Sequence, residues 1–233
     1  MTMIERARNA TARGDRPATA ENLFALAAMP ARYALERGDW AGAAALPVTT
    51  SPYPQADSVT RFARGLGMAL TGNVAGARGE IAALDALRGA LQKSGQGYWA
   101  DRTEEQMLTI SGWVALAEGD RQQALKLLGA AADSEDAHIR NPLMAIRLYP
   151  MRELLAELLL EIGQPGAALL EFETALAAYP NRYRGLWGAT LAAAATAQRQ
   201  KALDYVGRFV ALTRDSDSPR PEIARARAFV AKR

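Results

Sequence analysis

The sequence predicts an all-α protein built from antiparallel helix pairs that stack side by side. Three observations lead there. The first is the stretch EIGQPGAALLEFETALAAYPN, Glu161 to Asn181. Leu154, Leu155, Leu158, Leu159 and Ile162 precede it at helical spacing, so a helix with an apolar stripe arrives at Gly163. Glycine there can take the left-handed conformation that ends a helix. Pro165 suits the first turn of a second helix, where its missing N–H costs nothing. That helix turns Ala168, Leu169, Phe172, Leu176 and Tyr179 towards one side, and Pro180 stops it by pushing its predecessor out of the helical region.

The second observation is recurrence. A turn residue followed five positions later by a small residue occurs at Gly38/Ala43, Gly72/Ala77, Gly119/Ala124, Gly163/Ala168 and Ala197/Ala202, with alanine replacing glycine in the last. The turns are spaced by 34, 47, 44 and 34 residues. Seven positions before each turn stand Ala31, Gly65, Gly112, Ala156 and Thr190, where two backbones would need to approach. The third is composition. Nearly half of the 233 residues are hydrophobic (49%), enough for a continuous core. No apolar run is long enough to span a bilayer; the longest, Leu23 to Ala31, contains Pro30.

The motif Ala168-x3-Phe172-x2-Ala175-x4-Pro180, with Ala156 ahead of it, resembles the tetratricopeptide repeat, whose period is 34 residues. From about residue 18 to the end the chain is also similar to the C-terminal half of longer bacterial tetratricopeptide-repeat (TPR) proteins of unassigned function. The stretches AMPARYALERGDWAGAAALP, YPMRELLAELLLEIGQPGAALLEFETALAAYPNRYRGLWGA and RPEIARARAFVAKR carry that similarity. The resemblance implies a right-handed TPR-like superhelix of about five repeats plus a C-terminal closing helix. It implies no particular activity.

Element by element, residues 1–17 read as a loosely ordered lead, and MTMI at its start looks like the β-galactosidase start carried in cloning vectors. A single solenoid then covers 18–233, with units at about 18–46, 56–93, 98–133, 149–179 and 182–213 and a closing helix at 220–232. The first helix is expected to kink at Pro30. The proline-rich segment 47–55 and the segment SEDAHIRNPL, 134–143, are expected as loops, and SGQG at 94–97 as a break. The closing helix would cover the apolar face of the last repeat with Ile223, Ala226, Phe229 and Val230.

Little in the chain points to chemistry. There is no cysteine, which excludes disulfides, thiolate nucleophiles and zinc–thiolate sites. The single histidine, His138, has no motif that supplies a nucleophile, and reads as a solvated loop residue. Glu153, Glu157 and Glu161 share a helix face at i, i+4, i+8, which most simply is a solvated face. DSDS at 215–218 lacks the further ligands of a calcium loop, and Asp217 or Ser218 serves better as a helix cap. Asn9-Ala10-Thr11 fits a glycosylation acceptor and is read as chance. The expectation is therefore no catalytic residue, no metal and no cofactor. A hydrolase using carboxylates and His138 is the weaker alternative. The net charge is +3, and arginine outnumbers lysine 24 to 4. Nothing resembles a nucleic-acid reader, so neither nucleic-acid binding nor membrane insertion is expected. A cytoplasmic location is.

The family resemblance implies one functional face. In tetratricopeptide repeats, first-helix positions 2, 5, 6, 9, 12 and 13 line a concave groove. Counting each turn residue as position 15 places Phe62, Leu66, Gln106, Thr109, Ile110, Trp113, Glu153, Glu157, Arg184 and Trp187 there. The lysine and asparagine set that clamps a C-terminal carboxylate in some members is missing. The expected function is a protein-interaction scaffold whose groove holds a peptide or helix segment, apolar and partly basic. The alternatives are a self-assembling structural subunit, which would make a homo-oligomer, or a fragment of a larger TPR protein.

Overall fold

A computed structural model describes residues 18–138 and 148–231, together with Arg6 and Asn9. Eleven α-helices and no strand occur among the described residues. They are α1 (Ala20–Arg37), α2 (Trp40–Ala44), α3 (Pro54–Leu70), α4 (Val74–Lys93), α5 (Gly97–Ala117), α6 (Arg121–Ala137), α7 (Met151–Glu161), α8 (Pro165–Ala178), α9 (Tyr183–Ala195), α10 (Arg199–Leu212) and α11 (Pro221–Ala231). Consecutive helices pack in pairs, and the fold is an all-α helical repeat. The expected lead at 1–17 lies outside the described residues except for Arg6 and Asn9, as does the 139–143 part of the second expected loop.

The turns explain the pairing. All five residues expected at position 15 have positive φ: Gly38 at 66°, Gly72 at 81°, Gly119 at 89°, Gly163 at 78° and Ala197 at 56°. At each, the next N–H reaches back five residues to a helix carbonyl, as in Asp39 to Ala34 (3.0 Å), Asn73 to Met68 (2.8 Å) and Gln198 to Ala193 (2.9 Å). This is the Schellman arrangement, which satisfies carbonyls that the helix end leaves open. Gly95, at φ 72°, makes the same turn between α4 and α5, at the expected break.

The small residues sit where the helices of a pair approach. Ala43, Ala77, Ala124 and Ala168 have no exposed surface, and Ala202 has 1%. A Cβ built on Gly112 would strike the Leu128 side chain and come 3.2 Å from the Ala124 carbonyl oxygen. Gly67 lets α2 approach even closer: its Cβ would lie 2.5 Å from the Trp40 carbonyl oxygen.

The described residues fall into two compact units, Met1–Met151 and Arg152–Arg233. In unit 1, α3 packs against α1 on one side and α5 on the other, so the first helices of three pairs adjoin. α2, α4 and α6 back them. In unit 2, α9 packs against α8 and α10, and α11 lies on α10. Ile223 and Ala226 of α11 are buried, while Phe229 and Val230 are half-buried.

α1 is helical through Pro30 and buries Phe24, Ala28, Ala31, Ala34 and Leu35. One expectation changes. α6 continues to Ala137, so Ser134 and Glu135 are helical rather than in a loop. Tertiary contacts extend it. Glu135 is 3% exposed and accepts a hydrogen bond from the Met151 N–H at 2.8 Å, and the Ser134 hydroxyl donates to Glu105 Oε1 at 2.7 Å.

Candidate functional site

Unit 1 encloses a cavity of about 480 Å³ where its first helices adjoin. α1 contributes Glu21, Phe24, Ala25, Ala28, Met29 and Arg32. These recur at three- and four-residue spacing, which places them on one helix face. α3 adds Gln55, Ser58, Val59 and Phe62, and α5 adds Tyr98, Trp99, Arg102, Glu105 and Gln106. Glu135, Leu148, Tyr149 and Met151 also line it. Much of the wall is aromatic. Phe24 meets Trp99 with ring centroids 5.4 Å apart, and Tyr98 stands edge-on to Trp99 at 5.3 Å.

One side of the cavity carries a charged cluster. The Arg102 guanidinium bonds Glu105 Oε1, and its Nη2 lies 2.6 Å from His138 Nδ1. The same Nδ1 also lies 2.8 Å from the Ser134 carbonyl oxygen. The His138 Nε2 lies 3.6 Å from Asp101 Oδ2. Arg102 also lies over the Tyr98 ring, 5.4 Å from its centroid. Glu105 is 1% exposed, which makes Arg102 and the Ser134 hydroxyl the partners that keep a buried carboxylate tolerable. His138 is thus not a free loop side chain; it stands at the C-terminal cap of α6, tied to α5.

Three polar atoms in the lining have no hydrogen-bond partner among the described residues: Gln55 Oε1, Gln106 Oε1 and Arg102 Nε. Gln55 is only 8% exposed. Among the described residues no cluster of three or more histidines and carboxylates is placed to hold a metal ion.

Phe62 and Gln106, of the ten groove residues expected from the sequence, line this cavity. Leu66, Thr109 and Ile110 lie in the same two helices but are fully buried, and Trp113 is 7% exposed. The Thr109 hydroxyl donates to the Glu105 carbonyl oxygen at 2.8 Å and also approaches Met151 Sδ. The other four are in unit 2. Glu153 is fully buried and accepts from Arg182 at 2.7 Å, so the glutamate face is not uniformly solvated. Glu157 accepts from Arg184 through Nε (3.0 Å) and Nη2 (2.8 Å). Trp187 packs on Phe209, with centroids 5.5 Å apart.

Sequence reasoning missed Phe24, Gln55, Trp99 and Arg102. The last three precede position 2 of their repeats, because α3 and α5 begin earlier than a 34-residue unit allows. The 47-residue interval between Gly72 and Gly119 was the available signal; it is taken up by α4 (20 residues) and α5 (21 residues). Phe24 stands at position 1 of the first unit. The same count from Gly38 gives Ala25, Ala28, Met29 and Arg32 at positions 2, 5, 6 and 9, and all four line the cavity.

No protein-family model matches the chain, and neither does any curated protein. Among solved structures the chain is similar to one described as "Crystal structure of YrrB: a TPR protein with an unusual peptide-binding site". The identity is 13%, the match covers 97% of this chain and 98% of that one, and the TM-score is 0.46. No helix among the described residues is long and apolar enough to cross a membrane.

Proposed function

We propose that this chain is a non-enzymatic protein-interaction scaffold, and that it anchors a partner segment in the unit 1 cavity. One observation carries the reading: the first helices of three successive pairs enclose about 480 Å³ behind an aromatic wall. That volume suits a small apolar ligand or a few side chains, held among apolar groups with a few fixed polar ones. Phe24, Phe62 and Trp99 would grip an apolar anchor, and Gln106 and Arg102 would orient it. Leu66, Thr109, Ile110 and Trp113 would support that wall from within the helices. In unit 2, Glu153 and Glu157 already hold arginine partners, so apolar character in the partner comes first and basic residues second.

The test is selection of a random linear peptide library on the wild-type chain and on Ala25→Trp. Ala25 is exposed and borders the cavity, so tryptophan there plugs the site without entering the core. Peptides should be enriched on the wild type and lost on the variant, with helical circular dichroism unchanged. Equal enrichment on both would move the binding surface elsewhere.

A further inference from the structure

The geometry points to an extended partner segment rather than a helical one, with its main-chain amides read by Gln55, Gln106 and Arg102. This rests on the cavity being the binding site. Gln55 Oε1, Gln106 Oε1 and Arg102 Nε border an otherwise largely apolar space and have no partner among the described residues. Leaving such a group unbonded is unfavourable, because it has given up water without gaining a partner. The occupant that relieves this must bring at least two donors and one acceptor into apolar surroundings. A helix cannot supply them from its main chain, because its N–H and C=O groups are already bonded to one another. An extended segment offers one donor and one acceptor at every residue, whatever its side chains.

The side-chain amides fit this task. Each carries an acceptor and two donors, so it can pair with a peptide unit through both. Their terminal torsion is broad, so a small rotation turns either amide from its covered position towards the cavity. Arg102 is held by Glu105 and His138 through Nη2, which leaves Nε–H as the donor for a carbonyl oxygen. The aromatic wall then takes the alternate side chain of the same extended segment.

The experiment uses a peptide selected on the wild-type chain, synthesised unmodified and with each central amide N-methylated in turn. Binding to the full chain is measured by calorimetry. N-methylation at one or two positions should weaken binding about tenfold, the scale of a lost buried hydrogen bond. Gln55→Met and Gln106→Met should each weaken the unmodified peptide about tenfold. They should add little once the paired amide is methylated. The same variants should hold or raise the melting temperature of the empty protein, because each removes a buried oxygen without a partner. A purely structural role for the glutamines would lower it. Methylation that never changes affinity beyond about twofold, or a peptide that turns helical on binding, overturns the extended segment and leaves the scaffold standing. A selection that enriches nothing overturns both. The methylation series on the wild type decides the matter even if a glutamine variant folds poorly.

Discussion

The two units use the same turns and the same helix spacing, yet their first helices meet differently. In unit 1 the groove positions of α1 hold Ala25 and Ala28, and these small residues leave room opposite Phe62 and Trp99. In unit 2 the position of Ala28 is taken by Glu153, and α7 meets the start of α9 through Glu153–Arg182 and Glu157–Arg184. The repeat thus sets where side chains point, while side-chain length at a few positions decides whether an inner face is open or bridged. An open apolar face can take a ligand; a bridged one is spent on its own charges.

The largest effect should come from breaking a bridge. Arg182→Met removes a guanidinium from Glu153, whose side chain is fully buried. Removing one partner of a buried pair costs about 3–5 kcal/mol, and the low end applies here because Arg182 is partly exposed. In unit 1 the buried Glu80 accepts from both Arg61 and Arg64, at 3.0 and 2.6 Å. Arg61→Met should therefore cost about 1 kcal/mol, since the second arginine stays. Urea midpoints for the two variants test the ordering. Equal losses would mean that the bridges in unit 2 are no more demanding than those in unit 1.

A smaller effect, of opposite sign in the two units, should come from the turns. Asp39, Asn73 and Asp120 in unit 1 each accept a hydrogen bond from the N–H three residues on, at 2.9 Å. Gln164 and Gln198 in unit 2 stand at the same place without a side-chain cap bond. Asn73→Ala should cost about 1 kcal/mol, and Gln198→Asp should gain about as much. Ala197→Gly should gain a similar amount, because alanine at φ 56° carries a strain that glycine lacks. Thermal melts of the three variants check the signs. A gain from Asn73→Ala would contradict the capping role.

These turns were the most legible part of the chain. Glycine at φ above zero and alanine at a close approach leave few substitutes, so Gly38, Gly72, Gly119 and Gly163 reveal themselves by spacing, and even Ala197 is found through Ala202. Helix ends set by packing were less legible. Nothing local in SED at 134–136 keeps α6 helical; its contacts to Glu105 and Met151 do. The cavity was legible in direction but not in extent. Phe62 and Gln106 followed from register, whereas Trp99 and Arg102 required knowing that α5 starts early. The charged cluster around His138 could not be read at all, since it joins residues 36 apart that share no motif.

The smallest effect appears only in alkali, and it sharpens the contrast because both groups lie in unit 2. Burial pushes the Tyr183 and Tyr205 hydroxyls up to about 12, and the Glu173 carboxylate beside Tyr205 adds to the shift. A phenol whose folded value is raised holds its proton more tightly in the folded state. Its contribution to stability is complete below the unfolded value near pH 10 and is lost as pH climbs towards 12. Helicity should therefore hold to about pH 10 and weaken above it, with two phenols ionising late in the near-ultraviolet absorbance. Tyr205→Phe should remove one late phenol and flatten the alkaline loss. It also frees Glu173 to the Lys201 ammonium 2.7 Å away, so stability at neutral pH should change little. A Tyr205→Phe protein that keeps the full alkaline loss would assign that loss to Tyr183 alone, held between Arg220, which stacks on its ring at 3.7 Å, and Glu222.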